Sequence, residues 1–176
     1  VKDILLYATT LSLQKGGLSS LSANILKDKA KLLDLIGTKY LRQDELENAV
    51  KALAKVPKSY WTSTEQAYHH YLKANPFYAN FYSAHKKTDG DTISYTKSKL
   101  AEELYRLIEL EKTQTGNAQA KTNFTIANCY FNMTTHGNSW MMRRSWWSTY
   151  SFNTVYVDSD EFNKCLKAKE YYLKAS

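Results

Sequence analysis

The chain has 176 residues, of which 43% are hydrophobic and 23% are charged, a balance that is typical of one folded domain and excludes a disordered tail. Six glycines and two prolines exclude collagen-like and low-complexity classes, and no apolar run reaches the roughly 18–20 residues that span a bilayer. The net charge is +7, but the lysines are scattered rather than aligned, so we expect a solvated basic surface and disfavour nucleic acid as a partner.

Two helices with matching apolar stripes are predicted in the first third of the chain. In KLLDLIGTKYLRQ the stripe consists of Leu33, Ile36, Gly37 and Tyr40. After a short polar break, ELENAVKALAKV places on one face Leu46, Ala49, Leu53 and Val56. Asp44 and Glu47 have the spacing of a capping box at the start of the second helix, and Pro57 ends that helix.

Small residues at the facing positions predict that these two helices pack as an antiparallel hairpin. Gly37 has no side chain and Ala49 has only a methyl group, so the backbones can approach to the short end of the usual range of about 8–10 Å. A single hairpin cannot cover its own apolar face, so we expect further hairpins stacked beside it.

Helical patterns continue through the middle of the chain without keeping this register. We predict one helix after Ser63 and another from Asn75-Pro76, since each start has a capping residue. A further helix carries the stripe Leu100, Leu104, Leu107 and Ile108. No strand is predicted, so the fold class is all-α, with about eight to ten helices of ordinary length.

A second hairpin is predicted near the end of the chain, with a long insertion between its helices. Ile126, Ala127 and Tyr130 repeat the core of the first helix, while Ala168, Tyr172 and Ala175 repeat the small-aromatic-small spacing of the second. Tyr130 and Ala168 are 38 positions apart, whereas Tyr40 and Ala49 are nine apart, so the insertion has about 29 residues.

The first hairpin resembles a tetratricopeptide repeat, a family whose period is about 34 residues. The resemblance covers roughly Ala30 to Trp61 and is carried by Leu33, Ile36-Gly37, Tyr40, Ala49, Leu53 and Val56. Leu33 and Leu53 replace aromatic residues of the family, and Asp44 stands where the turn between the helices often has glycine. The resemblance implies a right-handed α-α superhelix, a solenoid of helical hairpins that binds proteins or peptides.

The phrase ANCYFNMTTHGNSWMMRRSWW is similar to a stretch in uncharacterised tetratricopeptide-like proteins of Bacteroidetes bacteria. This resemblance implies a place in the cell envelope, in the periplasm or at the outer membrane, and brings no established activity. We expect residues 1–176 to form a single helical repeat domain that is part of a longer protein.

The insertion in the second hairpin is rich in tryptophan and arginine. The candidate partner-binding residues are Asn138, Trp140, Arg143, Arg144, Trp146 and Trp147. Trp and Arg suit a recognition surface, because Trp offers a flat apolar face and Arg a planar group that stacks and binds carboxylates. Trp140 and Trp147 also fall at helical spacing, so packing between hairpins is the competing interpretation for Trp140 and for one of Trp146 and Trp147.

No catalytic, cofactor or metal motif is visible, and we expect a protein that is not an enzyme. The four histidines lack metal-ligand spacing, and Cys129 and Cys165 are read as buried helical residues. The glycosylation sequons at Asn123 and Asn132 are read as accidental. The leading hypothesis is a non-catalytic scaffold for a protein or peptide partner, and the alternative is a carbohydrate-binding module that uses exposed Trp and Arg.

Overall fold

The computed structural model describes residues 19–62, 75–79, 95–144 and 158–176, with side chains in the first of these ranges from Lys29 to Trp61. The α-helices in these ranges are α1 Ser19–Arg42, α2 Leu46–Leu53, α3 Lys58–Thr62, α4 Lys97–Glu111, α5 Gly116–Asn132, α6 Ser159–Lys164 and α7 Leu166–Ala175. A short 3₁₀ helix covers Trp140–Arg143. The described ranges contain no strand, and the predicted all-α character is confirmed. None of their helices has the length and apolarity that a membrane crossing requires.

Helices α1 and α2 form the predicted first hairpin. A Cβ atom placed on Gly37 of α1 would lie 2.3 Å from Cγ of Leu53 on α2, so only glycine allows this approach. Ala49 and Leu53 of α2 are both fully buried. The sequence prediction that small residues let these helices nest is therefore confirmed.

The turn between α1 and α2 differs from the predicted capping box. Asp44 has a φ of +60°, and the residue that flanks the start of α2 is Glu45, whose side chain makes no capping hydrogen bond. Asp44 thus takes the left-handed conformation that usually belongs to glycine in such turns. Its carboxylate is used elsewhere: it accepts a short hydrogen bond from the Tyr130 hydroxyl and pairs with Lys167 Nζ at 3.0 Å.

The second hairpin pairs α5 with α7, across the insertion that the sequence predicts. The Asn123 side chain donates to the Lys174 carbonyl at 3.4 Å near one end of the pair, and the rings of Tyr130 and Tyr171 stack with centroids 5.6 Å apart towards the other. The residue order of these contacts makes the two helices antiparallel. Ala168 is buried in this interface, as its place in the repeated pattern predicts.

Helix α4 joins the two hairpins, because it packs against both α2 and α5. Its buried stripe holds Leu100, Leu104 and Leu107, as predicted, while Ile108 is partly buried against the same cluster. One continuous core results, and it includes side chains from α1, α2, α4, α5 and α7.

Two other local predictions, besides the capping box, are wrong. Asn75 and Pro76 do not begin a helix within 75–79 but form a turn, in which the Asn75 side chain accepts a hydrogen bond from the Phe77 amide at 2.9 Å. Cys165 does not lie inside a helix: its φ of +53° separates α6 from α7. Residues 63–74 lie outside the described ranges, so the helix predicted after Ser63 stays a prediction.

Candidate functional site

The first part of the predicted insertion folds back onto the core. We call residues 133–144 the connecting segment. A Cβ atom on Gly137 would lie 2.2 Å from the backbone Cα of Asn132, so this position accepts only glycine. The Ser139 amide donates to the Asn132 carbonyl at 2.8 Å, and Met141 and Met142 are buried in the core. The connecting segment is thus a packed part of the domain.

Two asparagines of α5 tie the turn at 75–79 to the same region. The Asn132 side-chain amide donates to the carbonyls of Pro76 and Tyr78, each at 2.8 Å. The Asn128 amide donates to the Phe77 carbonyl at 3.3 Å. These hydrogen bonds satisfy backbone groups that helical structure does not pair. Asn132, one of the two sequon asparagines, is therefore a buried structural residue.

Arg143 lies in the interior, with 1% of its surface exposed. Its Nη2 donates to the carbonyls of Leu41 and Arg42 at 3.2 and 3.4 Å, at the C-terminal end of α1 where cations are favoured. Its Nε lies 3.5 Å from Asp158, and its Nη1 lies 3.7 Å from Glu161. Arg143 therefore joins α1 to the start of α6.

Arg144 is also buried, with 6% of its surface exposed. Its Nη1 lies 3.1 Å from Asp158 Oδ2, and its guanidinium carbon lies 3.7 Å above the ring centroid of Phe162. One carboxylate, that of Asp158, thus faces both arginines. This carboxylate offsets part of the cost of placing two guanidinium groups in the interior, where Arg143 Nε and Nη1 make no hydrogen bond with any described residue.

A second buried ion pair lies beside the first. Lys97 Nζ is 2.9 Å from Asp34 Oδ1, and it also donates to Thr38 Oγ1 at 2.9 Å and to the Arg144 carbonyl at 2.6 Å. The Tyr60 hydroxyl donates to the other oxygen of Asp34 at 3.0 Å. Burial lowers the pKa of Lys97 below its usual value, and the attraction of Asp34 opposes this shift. The cluster connects α1, α3, α4 and the connecting segment.

These positions change the interpretation of the predicted recognition surface. Asn138, Arg143 and Arg144 are buried, so the prediction that they lie on an exposed surface is wrong. The physical reason is that Asp158 and Glu161, downstream in the chain, supply carboxylates for the arginines. Trp140 is half-buried and packs against the core cluster. Trp146 and Trp147 lie outside the described residues, and their role stays a prediction.

A set of apolar side chains on α5 and α7 is wholly or partly exposed, and the sequence analysis did not identify it as a candidate site, although Tyr172 was predicted as a residue of the second hairpin. We call Phe124, Leu166, Tyr172 and Leu173 the apolar strip. Phe124, Leu166 and Leu173 are 44%, 51% and 66% exposed, while Tyr172 is half-buried. The Phe124 and Tyr172 rings meet edge to face with centroids 5.7 Å apart. The signal that could have revealed the strip is the spacing of seven residues between Leu166 and Leu173. These two residues lie on a different face of α7 from the buried Ala168 and Tyr171.

Hydrogen bonds and buried residues hold the apolar strip in place. The Tyr172 hydroxyl donates to Asn128 Oδ1 at 2.7 Å, and Asn128 in turn holds the Phe77 carbonyl. Burial raises the pKa of Tyr172 to about 12, so the hydroxyl keeps its proton at neutral pH. The strip is therefore an ordered surface on a packed helix pair.

The described residues contain no group of His, Cys, Asp and Glu side chains that could hold a metal ion. Within the same ranges, Cys129 and Cys165 are free thiols. No family model matches the chain, and comparisons with curated proteins and with solved structures gave no match.

Proposed function

We propose that this chain is a non-catalytic scaffold for protein–protein or protein–peptide interaction, built from tetratricopeptide-like hairpins in a right-handed superhelix. The observation that carries the proposal is the apolar strip, because three large side chains stand 44–66% exposed on a helix pair that is held together by buried side chains such as Ala168 and Tyr171. Exposed apolar surface on an ordered support is typical of interaction sites.

Two features of the first hairpin support the tetratricopeptide-like part of the proposal. The close contact of Gly37 with Leu53 lies where the family pattern places its small residue. Asp44 has a positive φ at the turn position where the family often has glycine. Both features meet a backbone requirement of the repeat: a close approach of its two helices, and a turn residue with a positive φ.

Burial of the arginines favours the scaffold over the carbohydrate-binding alternative. Arg143, Arg144 and Asn138 were the groups expected to hydrogen-bond sugar hydroxyls, and all three are buried. A glycan site in this region would have to rely on Trp140 and on residues 145–157. A protein partner needs only the apolar and charged groups that α5 and α7 expose.

Site-specific photo-cross-linking in cells that naturally make the protein tests the proposal. A photoreactive amino acid replaces Phe124 or Leu173 in turn, and also Trp146 or Trp147, with exposed Lys55 as the matched control position. We expect a protein adduct from at least one test position and none from Lys55. Absence of a protein adduct at all four test positions would refute the scaffold function.

A further inference from the structure

We propose that the apolar strip binds an acidic amphipathic helix of a partner protein. This inference rests on the proposed scaffold function and adds the surface and the chemistry of its partner. Three properties support it: the shape of the strip, the charges beside it, and the poor fit of the other occupants.

The shape of the strip suits a helix. Leu166 and Leu173 are two helical turns apart on α7, about 10 Å along its axis. Phe124 and Tyr172 meet edge to face at the junction of α5 and α7, and Tyr172 directly precedes Leu173 in α7. A partner helix laid along α7 would present apolar residues at i, i+3 or i+4 and i+7, which is the usual pattern of such recognition.

Two exposed lysines, Lys121 on α5 and Lys169 on α7, lie beside this strip. Lys121 is three residues before Phe124 on α5, and Lys169 is four residues before Leu173 on α7, so each lies one turn from an apolar residue of the strip. Asn123 contacts Lys174 on the antiparallel helix, so Lys121 and Lys169 are separated by about 10 Å along the helix pair. Neither forms an ion pair with any acidic residue in the parts of the chain that the structure describes.

The acidic residue nearest to Leu173 on α7 is already paired. Glu170, one turn before Leu173, lies 3.0 Å from Lys174 Nζ and 3.8 Å from Lys167 Nζ. Lys174 holds the pKa of Glu170 below its usual value, so this carboxylate stays ionised. The border of the strip is thus left with a positive balance, and acidic residues on a partner helix would complement it.

The two other occupants of such a surface fit less well. A second copy of this chain would add its own unpaired lysines to the interface, and since the net charge of each copy is +7, charge disfavours this occupant. An anionic membrane is usually bound through clusters of about four to eight basic residues, whereas two unpaired lysines border the strip among the described residues. An acidic amphipathic helix complements both the apolar row and the positive charge beside it.

Selection of a random peptide library on the intact chain tests the chemistry directly. We expect enriched peptides with apolar residues at helical spacing and Asp or Glu between them. The highest-ranked peptide is then synthesised with a fluorescent label, and its Kd is measured by anisotropy at low and high salt. Enriched peptides that lack the acidic residues or the helical spacing would overturn the proposal.

Two pairs of substitutions locate the binding surface. Leu173→Ser and the charge reversal Lys121→Glu/Lys169→Glu should each raise the Kd at least tenfold, and high salt should weaken binding to the wild type. The matched controls are Tyr78→Ser, which removes a side chain that is 51% exposed and lies outside the strip, and Lys55→Glu/Lys58→Glu, which reverses two exposed lysines just after α2 and at the start of α3. Controls should change the Kd less than twofold, and circular dichroism should show that every variant is folded.

The remaining outcomes separate this inference from the proposed function. Peptide binding that Leu173→Ser leaves unchanged would overturn the inference while leaving a scaffold that uses another surface. Leu173-dependent binding to anionic phosphatidylserine vesicles, or Leu173-dependent dimerisation in sedimentation, would also overturn it. If the selection gives no enriched peptide and the cross-linking experiment gives no protein adduct, both the inference and the proposed scaffold function are refuted.

Discussion

The contact between Gly37 and Leu53 predicts that Gly37→Ala destabilises the protein even though alanine is the better helix former. Alanine in a helix interior gains about 1 kcal/mol over glycine. Here the new Cβ would lie 2.3 and 2.5 Å from two carbon atoms of Leu53, whereas carbon atoms normally stay about 3.5–4.0 Å apart. Overpacking of this kind costs about 1–3 kcal/mol, and the fully buried Leu53 cannot turn away.

The double variant isolates this contact. With the cost taken at about 3 kcal/mol, Gly37→Ala should lower the free energy of unfolding by about 2 kcal/mol in the wild type. Leu53→Ala alone should lower it by about 2–5 kcal/mol through loss of buried carbon atoms. In the Leu53→Ala background the overlapping atoms are gone, so Gly37→Ala should then raise the free energy of unfolding by about 1 kcal/mol. The coupling between the two sites is about 3 kcal/mol.

Urea unfolding followed by circular dichroism measures all four proteins of the cycle. Gly116→Ala is the matched control, because Gly116 has a φ of +59° and no atom lies within 4 Å of the place that its Cβ would take. It should lose about 1–2 kcal/mol through its backbone conformation alone, by the same amount in both backgrounds. Stabilisation by Gly37→Ala in the wild type, or a coupling energy near zero, would refute the reasoning.

Three further predictions concern buried polar groups. Lys97→Met leaves the Asp34 carboxylate buried without its cation and should lower the free energy of unfolding by about 3–5 kcal/mol, as measured by urea unfolding. The double variant Lys97→Met/Asp34→Leu removes both charges and should recover most of this loss. Burial raises the pKa of Glu161, so the folded state favours its protonated form. The stability of the wild type relative to Glu161→Gln should therefore fall as pH rises through the ordinary range of glutamate. Urea unfolding of both proteins across a pH series measures this effect, and equal pH profiles would contradict it. Iodoacetamide should label Cys165 before Cys129 in the folded protein, because burial raises the pKa of the Cys129 thiol, and mass spectrometry showing equal labelling would contradict this assignment.

The apolar part of the fold was predictable because it follows helical periodicity. The stripe that contains Ile36 and the later stripe that contains Leu104 both form buried faces at the expected spacing. Even the pairing of Tyr130 with the helix of Ala168 could be inferred across the long insertion, since the repeated pattern of the first hairpin marks both partners. A local pattern identifies such contacts because each helix shows its own buried face.

The polar interior was not predictable by the same means. Arg143 and Arg144 looked like surface residues, because arginine is rarely buried unless it is paired. Their carboxylate partner Asp158 follows 14 residues after Arg144, and no spacing rule connects these positions. Gly137 likewise gave no local sign of its contact with the Asn132 backbone. Such residues depend on how distant parts of the chain meet, which single-sequence patterns do not record.

The apolar strip was missed for a different reason. The prediction for α7 depended on Ala168 and Tyr172, which match the repeat, and took no account of the other apolar residues. Leu166 and Leu173 are seven residues apart on a face that the hairpin does not cover. The pattern was present in the sequence, but its meaning required knowing which side of α7 faces α5.

The reach of the Arg143 side chain has a consequence for how the domain folds. Arg42 and Arg143 are 101 residues apart, yet the Arg42 Nε donates to the Arg143 carbonyl at 2.7 Å. In turn, Arg143 Nη2 donates to the carbonyls of Leu41 and Arg42 at the end of α1. In a simple repeat array each unit touches only its neighbours, so the array can melt from one end. Here the end of α1 forms hydrogen bonds with a connecting segment that follows much later in the chain, so we expect the domain to unfold cooperatively and to fold slowly for a helical protein.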